Sequence, residues 1–235
     1  MKRIAWLLAT SLLAGCNARA QSAERPQDPF VLAFRAVRPS VVLITMRVPS
    51  DDPKRKGQLE DAYGTGVVVR SGAWGSEILT DEHVIEEGRN VRALVGDAQR
   101  IDVRIAARDP DADLALLETK TPNLTIARLG SARDVEAGTA IGIAGYPIPD
   151  AFQDEGLGTR ISVYSGRVSS IRKDALELDL PVIPGESGGP VFDAQSGEIV
   201  AIAESRFDEE RAIGFGIPLD VIQGFLAKHA HAASP

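Results

Sequence analysis

Between residues 41 and 217 the chain breaks into short apolar or alternating runs, cut off by Gly, Pro, Asp or Asn. They fall at 41–48, 65–70, 91–95, 101–106, 114–118, 139–144, 160–171, 175–180, 190–193, 198–204 and 212–217. Rich in Val, Ile and Leu, and punctuated by turn residues, these runs predict β-strands joined by tight turns. Many short strands in one chain call for a barrel or a sandwich. Helical spacing returns only at the two ends. Phe30, Val31, Phe34 and Val37 share one face and stop before Pro39, which predicts a short helix. Leu219, Ile222 and Leu226 line another face after Pro218, with Asp220 near the start. A division near 127–136 separates two strand-rich halves, giving units over 29–130 and 131–235. No repeat of domain-building length is visible.

The segment ahead of the first helix follows a different pattern. Lys2 and Arg3 precede an apolar stretch, Ile4 to Leu13, that is too short to anchor stably across a bilayer. Residues 1–15 therefore predict an export signal. The run Leu13-Ala14-Gly15-Cys16 resembles the lipobox of bacterial lipoproteins, which implies a lipid on Cys16 and a chain held at a membrane of the cell envelope. A plain signal peptide followed by an incidental thiol is the alternative. Residues 16–28 are polar and aperiodic, as a tether would be. Cys16 is the single cysteine, so no disulfide forms within the chain. The net charge of -7 becomes more negative once Lys2 and Arg3 are removed, leaving 24 basic against 33 acidic residues. That balance argues against a nucleic-acid partner held through phosphates. Phosphate-binding glycine loops, paired cysteines and His-Glu-x-x-His helices are missing, so neither a cofactor nor a metal is expected. His229 and His231 read as a solvated tail.

Three segments carry candidate chemistry. His83 ends an apolar run that leads into one possible helical turn. Asp113 stands at the mouth of the buried run Leu114-Ala115-Leu116-Leu117. Ser187 lies in the turn Gly185-Glu186-Ser187-Gly188-Gly189-Pro190. A serine hydroxyl becomes nucleophilic when an imidazole takes its proton, and the imidazole needs an acceptor to hold one tautomer. The Gly185 and Ser187 N–H groups are the candidate donors to a developing oxyanion. Each segment is unremarkable alone. Together, in the order His, Asp, Ser, they point to acyl-transfer chemistry.

With these segments in view, the chain resembles the protease domain of the HtrA/Deg group of trypsin-like serine proteases. The matching stretches are Pro39-Ser40-Val41-Val42, Gly64-Thr65-Gly66-Val67-Val68, Leu79-Thr80 to His83-Val84-Ile85, Asp113 to Leu117, Gly145-Tyr146-Pro147, Gly185 to Pro190, and Gly214-Phe215-Gly216-Ile217-Pro218. The resemblance implies an all-β fold of two six-stranded antiparallel barrels with a short helix at each end. His83 and Asp113 would lie on the first barrel and Ser187 on the second. It also implies a serine endopeptidase acting on polypeptides, with a non-catalytic envelope chaperone or scaffold as the alternative. Its primary pocket would be walled by Val182, Ala203 and Arg206. An apolar, shallow pocket favours Val or Ala over Lys, whereas Arg206 pointing inward would favour acidic side chains. Glu204 and Arg206 are otherwise expected on the solvent rim of their strand.

Three departures stand out. Asp81 and Glu82 replace small or amide residues before the histidine, and they read as a surface helix start. Glu186 replaces an asparagine or aspartate beside the serine, where its carboxylate could crowd the oxyanion turn. The chain runs 17 residues past Pro218, so no peptide-binding PDZ domain is expected. The oligomeric state is left open.

Overall fold

Asp28 caps the first helix, its carboxylate accepting the Phe30 N–H at 2.9 Å, and Pro29 supplies a φ suited to a first helical turn. Helix α1 covers Pro29–Val37 and turns Ala33 and Val37 inward. The Phe30 ring stacks on Phe192 with centroids 5.8 Å apart. The computed structural model describes residues 27–96, 99–204 and 213–229. Among these, no helix is long and apolar enough to cross a membrane.

Seven strands build the N-terminal half: β1 (Val41–Pro49), β2 (Leu59–Gly72), β3 (Gly75–Asp81), β4 (Arg89–Val95), β5 (Gln99–Asp102), β6 (Arg104–Asp109) and β7 (Leu114–Thr119). The one-turn helix α2 (Glu82–Ile85) follows β3. The strands pair antiparallel in the order β5-β4-β1-β2-β3-β7-β6. The two edge strands, β5 and β6, are separated in the chain by Val103 alone, so a single bent segment joins both edges of the sheet. The run expected at 101–106 is thus two short strands, which makes seven where six were expected. Val103 packs inward at the bend against a core containing Ile44, Val68, Ile78 and Leu117.

The C-terminal half contains β8 (Ala140–Gly145), helix α3 (Pro149–Asp154), β9 (Ser162–Ile171), β10 (Leu176–Leu178), β11 (Pro190–Asp193), β12 (Ile199–Glu204), β13 (Gly214–Pro218) and helix α4 (Leu219–Lys228). Its strands close a six-stranded barrel in the order β10-β13-β12-β11-β8-β9. Ile143, Val168, Leu178 and Val191 fill its interior.

A third apolar cluster bridges the halves. Leu43, Val67, Leu79 and Leu116 from the first sheet meet Tyr146, Phe192, Ile202 and Phe225 from the C-terminal half. Burying this surface fixes the two strand systems against each other and places the ends of β3 and β7 beside the turn before β11. Helix α4 contributes Ile222, Phe225 and Leu226 to the seam, and Arg70 of β2 donates to the His229 carbonyl at 3.0 Å. His229 is exposed, but its ring sits 4.8 Å from that of Phe225, so it is less loose than a tail residue. His231 lies outside the described residues.

Candidate active site

The β3–β7 ladder ends on the pair Asp81↔Leu114, so the residues that step off both strands emerge side by side. Beyond Asp81 the chain turns into α2 and presents His83; just before Leu114 it presents Asp113. Asp113 adopts φ +50°, a left-handed conformation that aspartate tolerates better than most residues. Three hydrogen bonds lock the pair. The Glu82 N–H donates to the Asp113 carbonyl at 3.1 Å. The His83 N–H donates to Asp113 Oδ1 at 2.9 Å. His83 Nδ1 lies 2.7 Å from Asp113 Oδ2. With the carboxylate accepting at Nδ1, a neutral ring carries its proton there and offers the Nε2 lone pair.

Ser187 sits in a turn of another character. Ile183-Pro184-Gly185-Glu186 forms a type II β-turn, with proline second, Gly185 at φ +93° and the Glu186 N–H donating to the Ile183 carbonyl at 2.9 Å. Every carbonyl that follows is engaged on the protein side. Pro184 O accepts from Ile148 N–H at 2.7 Å, Glu186 O from Gly189 N–H at 2.8 Å and Ser187 O from Thr65 N–H at 2.9 Å. Gly185 O accepts from the Thr65 hydroxyl at 2.6 Å. A trans peptide unit points its N–H opposite its C=O. The Gly185 and Ser187 N–H groups therefore face away from those anchors, and neither donates to another group among the described residues. Two such donors flanking one hydroxyl can stabilise an anionic oxygen.

The turn rests on the strand end that carries His83. Thr80 donates its hydroxyl to the Thr65 carbonyl at 2.7 Å. Gly188, at φ +83°, leaves no room for a Cβ, which would collide with Thr65 O and Thr80 Oγ1.

Acidic groups crowd this junction. Asp81, His83 and Asp113 offer side-chain atoms within 4.8 Å of one another. Asp81 is wholly buried and neither carboxyl oxygen has a hydrogen-bond partner. Burial, with the charges of Asp113 and Glu204, holds its pKa well above the usual carboxylate range. The nearby Gly188 N–H offsets this little, because it donates to the Ala203 carbonyl at 2.9 Å. Burial by itself would lower the His83 pKa. The hydrogen bond and charge of Asp113, with Glu204 and Glu82 behind it, outweigh burial and raise it above the ordinary 6.5. Glu186 is pushed up to about 7 by burial, against the opposing hydrogen bond from Ile183.

Several expectations change here. Asp81 and Glu82 are buried rather than on a surface helix start; Glu82 turns onto Arg108, whose Nε donates to it at 2.7 Å. Glu204 is 7% exposed and faces the His83–Asp113 couple instead of a solvent rim. Val182 and Ala203 belong to the inner cluster of the C-terminal barrel. Arg206 and Cys16 lie outside the described residues. Thr65, Ile148 and Glu204 do work at the site that their sequence context does not announce. Thr65 alone carries a hint, since small residues on both sides allow close approach.

Known proteins resemble this chain in sequence and in fold. Residues 64–202 match the model of the trypsin-like peptidase domain. A probable periplasmic serine endoprotease DegP-like of Pseudomonas fluorescens is 28% identical over 186 residues, covering 74% of this chain and 36% of the relative. The chloroplastic protease Do-like 1 of Arabidopsis thaliana is 29% identical over 207 residues, covering 83% of this chain and 46% of the relative. The chain thus spans less than half the length of these curated relatives. The solved structure of the HtrA-type protease AlgW with a tripeptide superposes with a TM-score of 0.68 at 22% identity, covering 88% of this chain and 64% of that one.

Proposed function

This chain belongs to the trypsin-like peptidase domain family, and we propose that it is a serine endopeptidase acting on polypeptides, with His83, Asp113 and Ser187 as its triad. The observation that carries the reading is the 2.7 Å contact of His83 Nδ1 with Asp113, made beside a serine turn whose two outward N–H groups are unspent. In the acylation step His83 Nε2 takes the Ser187 hydroxyl proton as Oγ attacks the scissile carbonyl. The carbonyl oxygen becomes the oxyanion and accepts from the N–H groups of Gly185 and Ser187. The imidazolium, held by Asp113, then protonates the leaving amine as the C–N bond breaks. Water repeats the sequence on the acyl-serine, with His83 as base, and releases the acid.

The enzymatic reading is favoured over a scaffold by the direction of Glu186. Its Oε2 accepts from Ile183 N–H at 2.9 Å, turned back along the chain instead of towards the Gly185 donor. Val182 and Ala203 turn into the barrel core and put no charge on the segments that flank the serine turn, which favours small aliphatic side chains at the cleaved position, at about 1–3 kcal/mol of discrimination per methylene. The periplasmic DegP-like relatives support an exported envelope protein, and the run ahead of Cys16 supports a lipid anchor on that cysteine.

The test is cleavage of casein and of a proteome-derived peptide library, read by mass spectrometry. Wild type should cut after Val or Ala, and Ser187→Ala or His83→Ala should fall at least about a thousandfold. Equal casein cleavage by Ser187→Ala would exclude the mechanism, and predominant cutting after Lys would exclude the apolar pocket. For the anchor, a palmitate analogue should label wild type and not Cys16→Ala; equal labelling would end that idea.

A further inference from the structure

We propose that Glu186 is the positioning residue of the oxyanion turn, closing a two-way clip on Ile183 that fixes the direction of the Gly185 N–H. This rests on the endopeptidase reading and deepens it. A type II turn is held by a single bond between its ends, here Glu186 N–H to the Ile183 carbonyl at 2.9 Å. Its central peptide can rotate by half a turn towards the type I arrangement at little cost to that bond. Such a rotation would replace the Gly185 N–H with the Pro184 carbonyl and leave the oxyanion without a donor. The glutamate adds the return bond, Ile183 N–H to Oε2 at 2.9 Å, so both backbone groups of Ile183 are tied to one residue. Ile148 holds the central peptide itself through Pro184 O at 2.7 Å. It does so from a left-handed backbone, φ +34°, that an isoleucine adopts only under constraint.

The side chain's length is the second observation. Glu186 is fully buried, and its other oxygen, Oε1, has no hydrogen-bond partner. A buried carboxyl oxygen left unpaired is costly, so the residue is not explained by packing. The one hydrogen bond of its side chain is the clip. Aspartate, one methylene shorter on the same backbone, would not span to Ile183 N–H.

The test uses kcat and KM on fluorescein-labelled casein for wild type, Glu186→Gln, Glu186→Asp and Glu186→Ala. Glutamine keeps the reach and an acceptor oxygen, so it should rescue kcat to within about threefold of wild type. Aspartate and alanine should lose on the order of a hundredfold in kcat, the effect of one missing oxyanion donor, with KM within about twofold. Wild-type kcat in the alanine or aspartate variant would overturn the clip, as would a glutamine variant that falls as far as alanine. Should the short variants fail to fold, amide exchange at Ile183 decides: slow in wild type and in Glu186→Gln supports the clip, fast in folded wild type overturns it. Labelling of wild-type Ser187 by a fluorophosphonate keeps the two claims apart. Its absence defeats the endopeptidase reading, and its presence with an indifferent Glu186 defeats only the clip.

Discussion

The two halves of the molecule deliver their parts of the site by opposite means. The N-terminal sheet uses register: β3 and β7 end on the same rung, and His83 and Asp113 follow from where the ladder stops. Three hydrogen bonds between the α2 turn and Asp113 complete the placement. The C-terminal barrel uses discrete contacts. Ser187 stands in an irregular turn whose carbonyls are pinned by Ile148 from the next loop and by Thr65 from the opposite sheet. Ladder placement shares its strain over many bonds and changes only if the sheet does. Turn placement can be undone one bond at a time. In the proposed mechanism, Ser187 and the Gly185 and Ser187 N–H groups are therefore the adjustable part of this site, and His83 is the fixed part.

The sharpest way to break that contrast is Thr65. Its backbone N–H holds Ser187 O, its hydroxyl holds Gly185 O, and the Tyr146 N–H donates to that hydroxyl at 3.1 Å. Thr65→Val is near-isosteric and removes both hydroxyl bonds, each worth about 0.5–1.5 kcal/mol. The turn should loosen while the β1–β2 ladder stays, so kcat should fall on the order of ten- to a hundredfold with little change in KM. Steady-state kinetics with circular dichroism would check this; unchanged kcat in a folded variant would show that the turn holds itself.

A smaller effect tests the fixed half. His83 titrates above 6.5 because Asp113, Glu204 and Glu82 outweigh burial. Its free-base form, the one proposed to accept the Ser187 proton, then appears only as pH rises through that raised value. The acid limb of kcat/KM should accordingly lie above pH 6.5. Glu204→Gln removes one of the favouring charges and should move the limb to lower pH, with a plateau within a few-fold of wild type. A limb that stays put, or moves up, would mean that Glu204 does not act on the imidazole.

How far the sequence reveals this molecule follows the same divide. Strands β1, β7 and β11 were legible because apolar runs bounded by turn residues have few other readings. Strand β3 was marked only at its end, since all seven of its positions are buried, Ser76, Glu77, Thr80 and Asp81 included, and no alternation remains. The bend at Val103 was hidden for a related reason, because a barrel corner changes direction without changing hydropathy. Among the proposed site residues, His83, Asp113 and Ser187 could be read because the chemistry demands those side-chain types. Ile148 could not, and Thr65 only through the glycines on either side of it. Thr65 acts on carbonyls about 120 residues away and Ile148 through its own backbone N–H, which any residue but proline supplies. In the sequence Glu186 reads as a possible obstruction, because sequence gives a side chain's size but not its direction.

The central claim is that Ser187 is an activated nucleophile in a formed oxyanion site, and fluorophosphonate labelling of the purified protein tests it most directly. The probe reacts when a serine hydroxyl is deprotonated by its base and the phosphonyl oxygen finds its donors. One label per chain is expected on the peptide containing Ser187, lost in Ser187→Ala and slowed by orders of magnitude in His83→Ala. Folded wild-type protein that takes no label, or labelling that survives Ser187→Ala, would contradict it.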